Sequence, residues 1–111
     1  MDVLNAMEAD SGISIKELRV DGGASVNNML MQFQSDVLNT VTVRPKVIET
    51  SAMGAAFLAG LAISYWENPE EIQNIWQTNQ RFNPISERKK IKKDIQGWYK
   101  AMNALEYWTK D

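Results

Sequence analysis

The 111-residue chain contains no cysteine and no histidine. Without thiols there is no disulfide and no thiolate zinc site. Without imidazole the usual nucleophilic triads are excluded, along with the side chain that most readily exchanges protons near neutral pH. Chemistry would have to run on carboxylates, amides, hydroxyls or the backbone. An excess of either charge is also missing: 12 lysines and arginines face 14 acidic residues, a formal net charge of -2. That balance gives no pull toward nucleic acid or an anionic membrane, and neither is an expected partner. The N-terminus lacks the basic segment and apolar run of a signal peptide, so a cytoplasmic location is expected. No apolar run reaches the ~20 residues that span a bilayer. The longest, "AMGAAFLAGLAISYW", is rich in alanine and glycine and reads as a buried helix.

What is present suits one domain, or a piece of one: apolar residues make up 44% of the chain, enough for a single modest core. Val3, Leu4 and Met7 sit at helical spacing, with Ser11-Gly12 as a stop. "ELRVDG" predicts a short strand from residue 16 or 17 to residue 21. Leu30, Phe33 and Val37 then mark the expected buried face of a helix over residues 25–38, and "TVTVR", ended by Pro45, predicts a second strand. Strand, helix and strand in so short a span make a parallel βαβ unit, which sets the class as α/β.

Further along, Ala52, Ala56, Ala59 and Ile63 trace one face of a third helix, whose small residues suit close packing. Asn68-Pro69-Glu70-Glu71 reads as a helix start, with Asn68 as cap and Glu71 reaching back. Ile72, Ile75 and Trp76 give that helix its apolar face. A polar stretch with Pro84 leads to a last amphipathic helix carrying Ile91, Ile95, Trp98, Met102 and Leu105. Gly97 within it suggests close approach to a neighbour. The run Arg88, Lys89, Lys90, Lys92 and Lys93 reads as a solvated face, having no interleaved aromatic platform. Trp76 and Trp98 fall on apolar stripes and are expected to bury helix faces, not to stack on sugars.

The stretch "VDGGASVNN" asks for a separate account. A phosphate loop of the G-x-x-x-x-G-K-[ST] kind is excluded, because the glycines are adjacent and no lysine follows. The G-x-G-x-x-G dinucleotide fingerprint fails for want of its other glycines. What remains is strand, Gly22-Gly23, helix. At such a corner bare backbone can meet a flat ligand, and Asn27, in the first helical turn, can donate to and accept from a purine or ribose. By spacing alone such a pair more often marks a tight turn than a nucleotide site.

"LRVDGGASVNNMLMQFQSDVLNTVTVRP" followed by "ETSAMGAAFLAGLA" resembles the C-terminal portion of bacterial glycerol kinases, within the FGGY carbohydrate kinases on the actin-like (ribonuclease H-like) ATPase fold. The resemblance runs from "DVLNAM" to "GWYKAM". It implies that residues 1–111 are the C-terminal part of the family's second domain, with residues 1–66 as a nucleotide-side core and residues 67–111 as C-terminal helices. It also implies that Gly23 and Asn27 contact ATP or ADP, with Gly22 and Ala24 completing the loop. Ser25 and Val26 take no role, and Thr50 to Ala62 serves as scaffold.

The family's D-x-G-T-T phosphate loop, its glycerol-contacting residues and its aspartate base match nothing here. Asp21, at a strand end, and Asp36, within a helix, are not that base. The chain is expected to be inactive alone, with Mg2+ bound through nucleotide phosphates and parts outside it, and with the remainder of a kinase as partner. A xylulose or gluconate kinase, or a non-catalytic interaction or oligomerisation module, stands as the alternative. A first strand with an unpaired edge is expected to favour self-association.

Overall fold

A computed structural model describes residues 1–109. Its elements are helix α1 (Asp2–Ser11), strand β1 (Glu17–Arg19), a 3-10 turn (Gly23–Val26), helix α2 (Asn28–Leu38) and strand β2 (Val41–Pro45). Helices α3 (Thr50–Ala62) and α4 (Pro69–Ile75), strand β3 (Thr78–Phe82) and helix α5 (Arg88–Trp108) follow. The three strands form one mixed sheet in the order β1-β2-β3. β1 and β2 run parallel, with Leu18 opposite Thr42, so the expected βαβ unit is present. β3 pairs antiparallel to β2, with Phe82 opposite Thr42 and a register irregularity at Arg44/Pro45. This third strand lies in the stretch read from sequence as a polar connection. "TNQRF" carries only one large apolar residue, and that residue, Phe82, is the one buried.

Local chemistry sets the helix ends. Gly12 takes the left-handed conformation (φ 68°) and its N–H donates to Glu8 O at 2.9 Å, closing α1 as expected. α2 begins three residues later than the periodicity suggests, because the 3-10 turn occupies residues 23–26. It ends at Asn39 (φ 54°), a residue that tolerates that conformation better than most. α4 starts as expected: Glu71 N donates to Asn68 Oδ1 at 3.0 Å, while the Glu71 carboxylate reaches back to accept from Glu67 N at 3.2 Å.

Packing departs from the sequence reading in a consistent direction. Among the described residues the buried apolar side chains are Met31, Val43, Phe82 and Ile91. Met31, Ser35 and Asp36, not Leu30, Phe33 and Val37, form the buried row of α2. Phe33 is 53% exposed. It and Val37 line a cavity of about 220 Å3 with Ile95 and Trp98 of α5, while Leu30 faces a wider groove toward Leu4 and Met7 of α1. The alanine face of α3 is likewise exposed, and only Gly60 of that helix is buried, so the expectation of a buried helix is corrected. Trp98, Met102 and Leu105 are exposed on α5, and a Cβ at Gly97 would meet nothing within 4 Å, so the expected close approach there is absent.

The dimensions agree with uncovered faces. The radius of gyration is 18.3 Å, against about 13 Å for a compact domain of this length. The accessible surface is 8548 Å2, against about 6,200 Å2 for a compact protein of this mass. Amphipathic periodicity records which face a helix buries somewhere; here those faces are turned away from the chain's own small core.

Candidate functional site

The glycine pair lies where the sequence places it, between β1 and α2, but its two members do different work. Gly22 has φ 76° and ψ 171°, a combination essentially reserved for glycine. Its N–H donates to Ile48 O at 2.9 Å, and its carbonyl accepts from Ser25 N at 3.0 Å and from Ser25 Oγ at 2.7 Å. Gly22 is therefore the turn, with its main chain engaged inside the protein. Gly23 has an ordinary negative φ, and a Cβ there would meet nothing within 4 Å. Gly23 and Ala24 are exposed. As the first residues of the 3-10 turn they keep their N–H groups free of protein partners.

Asn27 sits three positions earlier relative to the helix than the sequence suggests. It is the cap of α2, with Oδ1 accepting from Leu30 N at 3.1 Å. Its oxygen is thus committed to the helix, and the side-chain N–H2 is the part left for a ligand. The corner Gly23-Ala24-Asn27 is an open surface: none of these residues lines a cavity among those described. A hollow lies between Asp21, Thr50, Arg19 and Trp76, next to the corner in the chain. The Thr50 hydroxyl, at the start of α3, donates to Asp21 Oδ2 and ties the end of the β1 segment to that helix. Arg19 lies over the Trp76 ring at 4.2 Å, closing the same side.

Beneath the corner lies a residue that the sequence reading missed. Arg44, on β2, is 9% exposed, and its guanidinium donates in three directions. Nη1 reaches Ser25 O at 2.7 Å and Asn28 Oδ1 at 2.9 Å, Nε reaches Asn79 Oδ1 at 3.0 Å, and Nη2 reaches Gln80 Oε1 at 3.0 Å. Ser25, to which the sequence assigned no role, is fully buried and is the link between Arg44 and the glycine turn. Nothing in a single sequence marks this group, since its four acceptors come from residues 25, 28, 79 and 80.

Asp36, which the resemblance does not match to the family's base, is a structural anchor. It accepts from Ile85 N at 2.7 Å, Ser86 N at 3.1 Å, Ser86 Oγ at 2.6 Å and Gln32 Nε2 at 3.2 Å, which fixes the connection from β3 to α5. Burial alone would raise its pKa, but the Ser86 hydroxyl, the two amides and Gln32 outweigh that and hold it at about 2. Arg88, the first residue of the basic run, donates to Asp36 O at 2.9 Å, and the lysines that follow are exposed as expected.

A sequence profile for the FGGY family of carbohydrate kinases, C-terminal domain, matches residues 1–63. The chain belongs to the FGGY family. Glycerol kinase of Burkholderia vietnamiensis is 56% identical over 111 residues, covering 100% of this chain and 22% of that protein. Glycerol kinase of Chromobacterium violaceum is 54% identical over 110 residues, covering 99% of this chain and again 22% of the relative. The chain thus spans about a fifth of the length of the curated relatives it matches. A crystal structure of Plasmodium falciparum glycerol kinase with ADP superposes with a TM-score of 0.76 at 32% identity, over 92% of this chain and 21% of that one. The FGGY membership and the actin-like ATPase fold expected from the two long motifs therefore both hold.

Proposed function

We propose that this chain supplies the adenosine-side wall of an ATP-dependent glycerol kinase, which converts glycerol and ATP to glycerol 3-phosphate and ADP in the cytoplasm. The supporting observation is the open Gly23-Ala24 main chain, beside a capped Asn27, in a chain that aligns end to end with glycerol kinases. In this reading Gly22 shapes the turn. Gly23 and Ala24 present bare backbone and two free N–H donors to the nucleoside, and the Asn27 amide donates from the helix start.

Among the described residues no cluster of three or more histidine, cysteine, aspartate or glutamate side chains could hold a metal ion. In this reading the Mg2+ that accompanies the nucleotide is held by its phosphates and by the remainder of the kinase. Phosphoryl transfer is chiefly a matter of positioning and charge stabilisation, so this wall acts by fixing the donor nucleotide. We further place residues 1–66 as the nucleotide-side core and residues 67–111 as the segment that completes the sheet with β3 and packs α5 outward. Glycerol is favoured over xylulose or gluconate as substrate by the glycerol kinase relatives.

A chimera tests this reading, with residues 1–111 replacing the matching segment of the Burkholderia vietnamiensis glycerol kinase. Gly23→Val fills the open corner, and Asn27→Asp keeps the cap while removing the amide donor. Each should raise KM for ATP by about tenfold, the scale of one or two lost contacts, with KM for glycerol and the melting temperature unchanged. An unchanged KM for ATP in both variants refutes the assignment.

A further inference from the structure

We propose that Arg44 is a positioning residue for the proposed nucleotide-facing corner: from beneath, it sets the shape of residues 22–28 and locks that shape to the β2–β3 pairing. The proposal rests on the nucleotide reading for its functional consequence, but its structural half stands on geometry alone.

Arginines are seldom buried without a carboxylate, yet no acidic group among the described residues lies within ion-pair distance of Arg44. Instead, its planar fork meets four neutral oxygens. Two belong to the corner: Ser25 O, the carbonyl midway along the 3-10 turn, and Asn28 Oδ1, on the first residue of α2. The other two, on Asn79 and Gln80, belong to β3. The Phe82 ring supports the guanidinium at 5.6 Å. Arg44 also stands at the irregular step of the β2–β3 ladder, where Pro45 has no N–H to continue the pairing. One cation thus joins the turn, the helix start and the neighbouring strand.

The Ser25 side closes the linkage. Ser25 is pinned from one side by Arg44 through its carbonyl, and from the other by Gly22 O through its N–H and hydroxyl. Gly23 and Ala24 are strung between these two anchors, so the direction of their free N–H groups follows from where Arg44 holds Ser25. Lysine cannot substitute, because a single ammonium cannot reach acceptors spread over three directions.

The same chimeric kinase provides the test, with hydrogen exchange of peptides covering residues 20–31 read beside KM for ATP and for glycerol. In Arg44→Lys, exchange should quicken by about tenfold in that peptide and stay unchanged in α5. KM for ATP should rise by about tenfold, with KM for glycerol held within about twofold. Asn28→Ala removes one corner acceptor without burying a new group, so it should move both readouts in the same direction by less. It keeps the test decisive should the Lys variant fail to fold. Unchanged exchange at residues 20–31 overturns the proposal, as does an equal rise in both KM values with exchange quickened throughout. Loosening of the corner with KM for ATP unmoved would uphold the positioning role and instead refute the nucleotide assignment.

Discussion

Asp36 offers the sharpest quantitative check on how the chain is held together. It lies in the last turn of α2, the end of a helix where a carboxylate is least welcome, and it is only 5% exposed. Its retention there is explained by the four donors that converge on it from Gln32, Ile85 and Ser86. Those donors lower its pKa from 3.8 to about 2 in the folded chain. The difference corresponds to about 2 kcal/mol of stability. Because the folded pKa is depressed, the unfolded chain takes up the proton first as pH falls. The contribution is therefore complete above about pH 5, declines below pH 4, and is mostly gone at pH 2.

Asp36→Asn removes the titrating group and keeps the shape. Urea unfolding of the wild-type and variant chains, followed by tryptophan fluorescence from pH 7 to pH 2, cancels the titration of every other carboxylate in the difference. The variant should be less stable by about 2 kcal/mol at pH 7, and the gap should close toward zero by pH 2. A gap that stays constant over that range would show that the donors do not hold the charged form, and the argument from the hydrogen bonds would fail.

Three further predictions concern packing and a buried hydroxyl. A Cβ at Gly60 would collide with the Trp66 ring, which sits edge-on to Phe57 at 5.3 Å and to Tyr65 at 4.9 Å. Gly60→Ala should therefore destabilise by about 1–3 kcal/mol and shift Trp66 emission. Gly97→Ala, in open space on α5, should stabilise by about 1 kcal/mol, and a lower melting temperature would contradict the open setting. Thr42 is fully buried and its hydroxyl has no hydrogen-bond partner, so Thr42→Val should raise the urea midpoint by an amount equivalent to about 1 kcal/mol. A lower midpoint would mean that the hydroxyl is satisfied in solution.

The order of elements was legible because local signals carry it: the Gly12 stop, the Asn68-Pro69-Glu71 start and the β-branched run of β2 each act over a few residues. β3 was not legible, because its pairing with β2 depends on a partner more than thirty residues away and on one buried side chain, Phe82. Asn27 was legible as a polar residue near a helix start. Its exact place was not, since the 3-10 turn moved it from the first turn to the cap and committed its oxygen.

The largest departure, the exposed apolar faces of α3 and α5, goes together with a polar centre. The buried side chains at the seam between sheet and α2 include Ser25, Ser35, Asp36, Thr42 and Arg44 beside Met31, Val43 and Phe82. Hydrophobic burial is non-directional, so a seam built from it alone would tolerate sliding of α2 over the strands. Hydrogen bonds do not: Ser35 Oγ lies 2.8 Å from Phe82 O, Arg44 ties the start of α2 to β3, and Asp36 ties its last turn to the connection that follows β3. The apolar stripes that periodicity detects face outward instead of lining this seam. The side chains that define the corner are polar ones, which periodicity does not weigh.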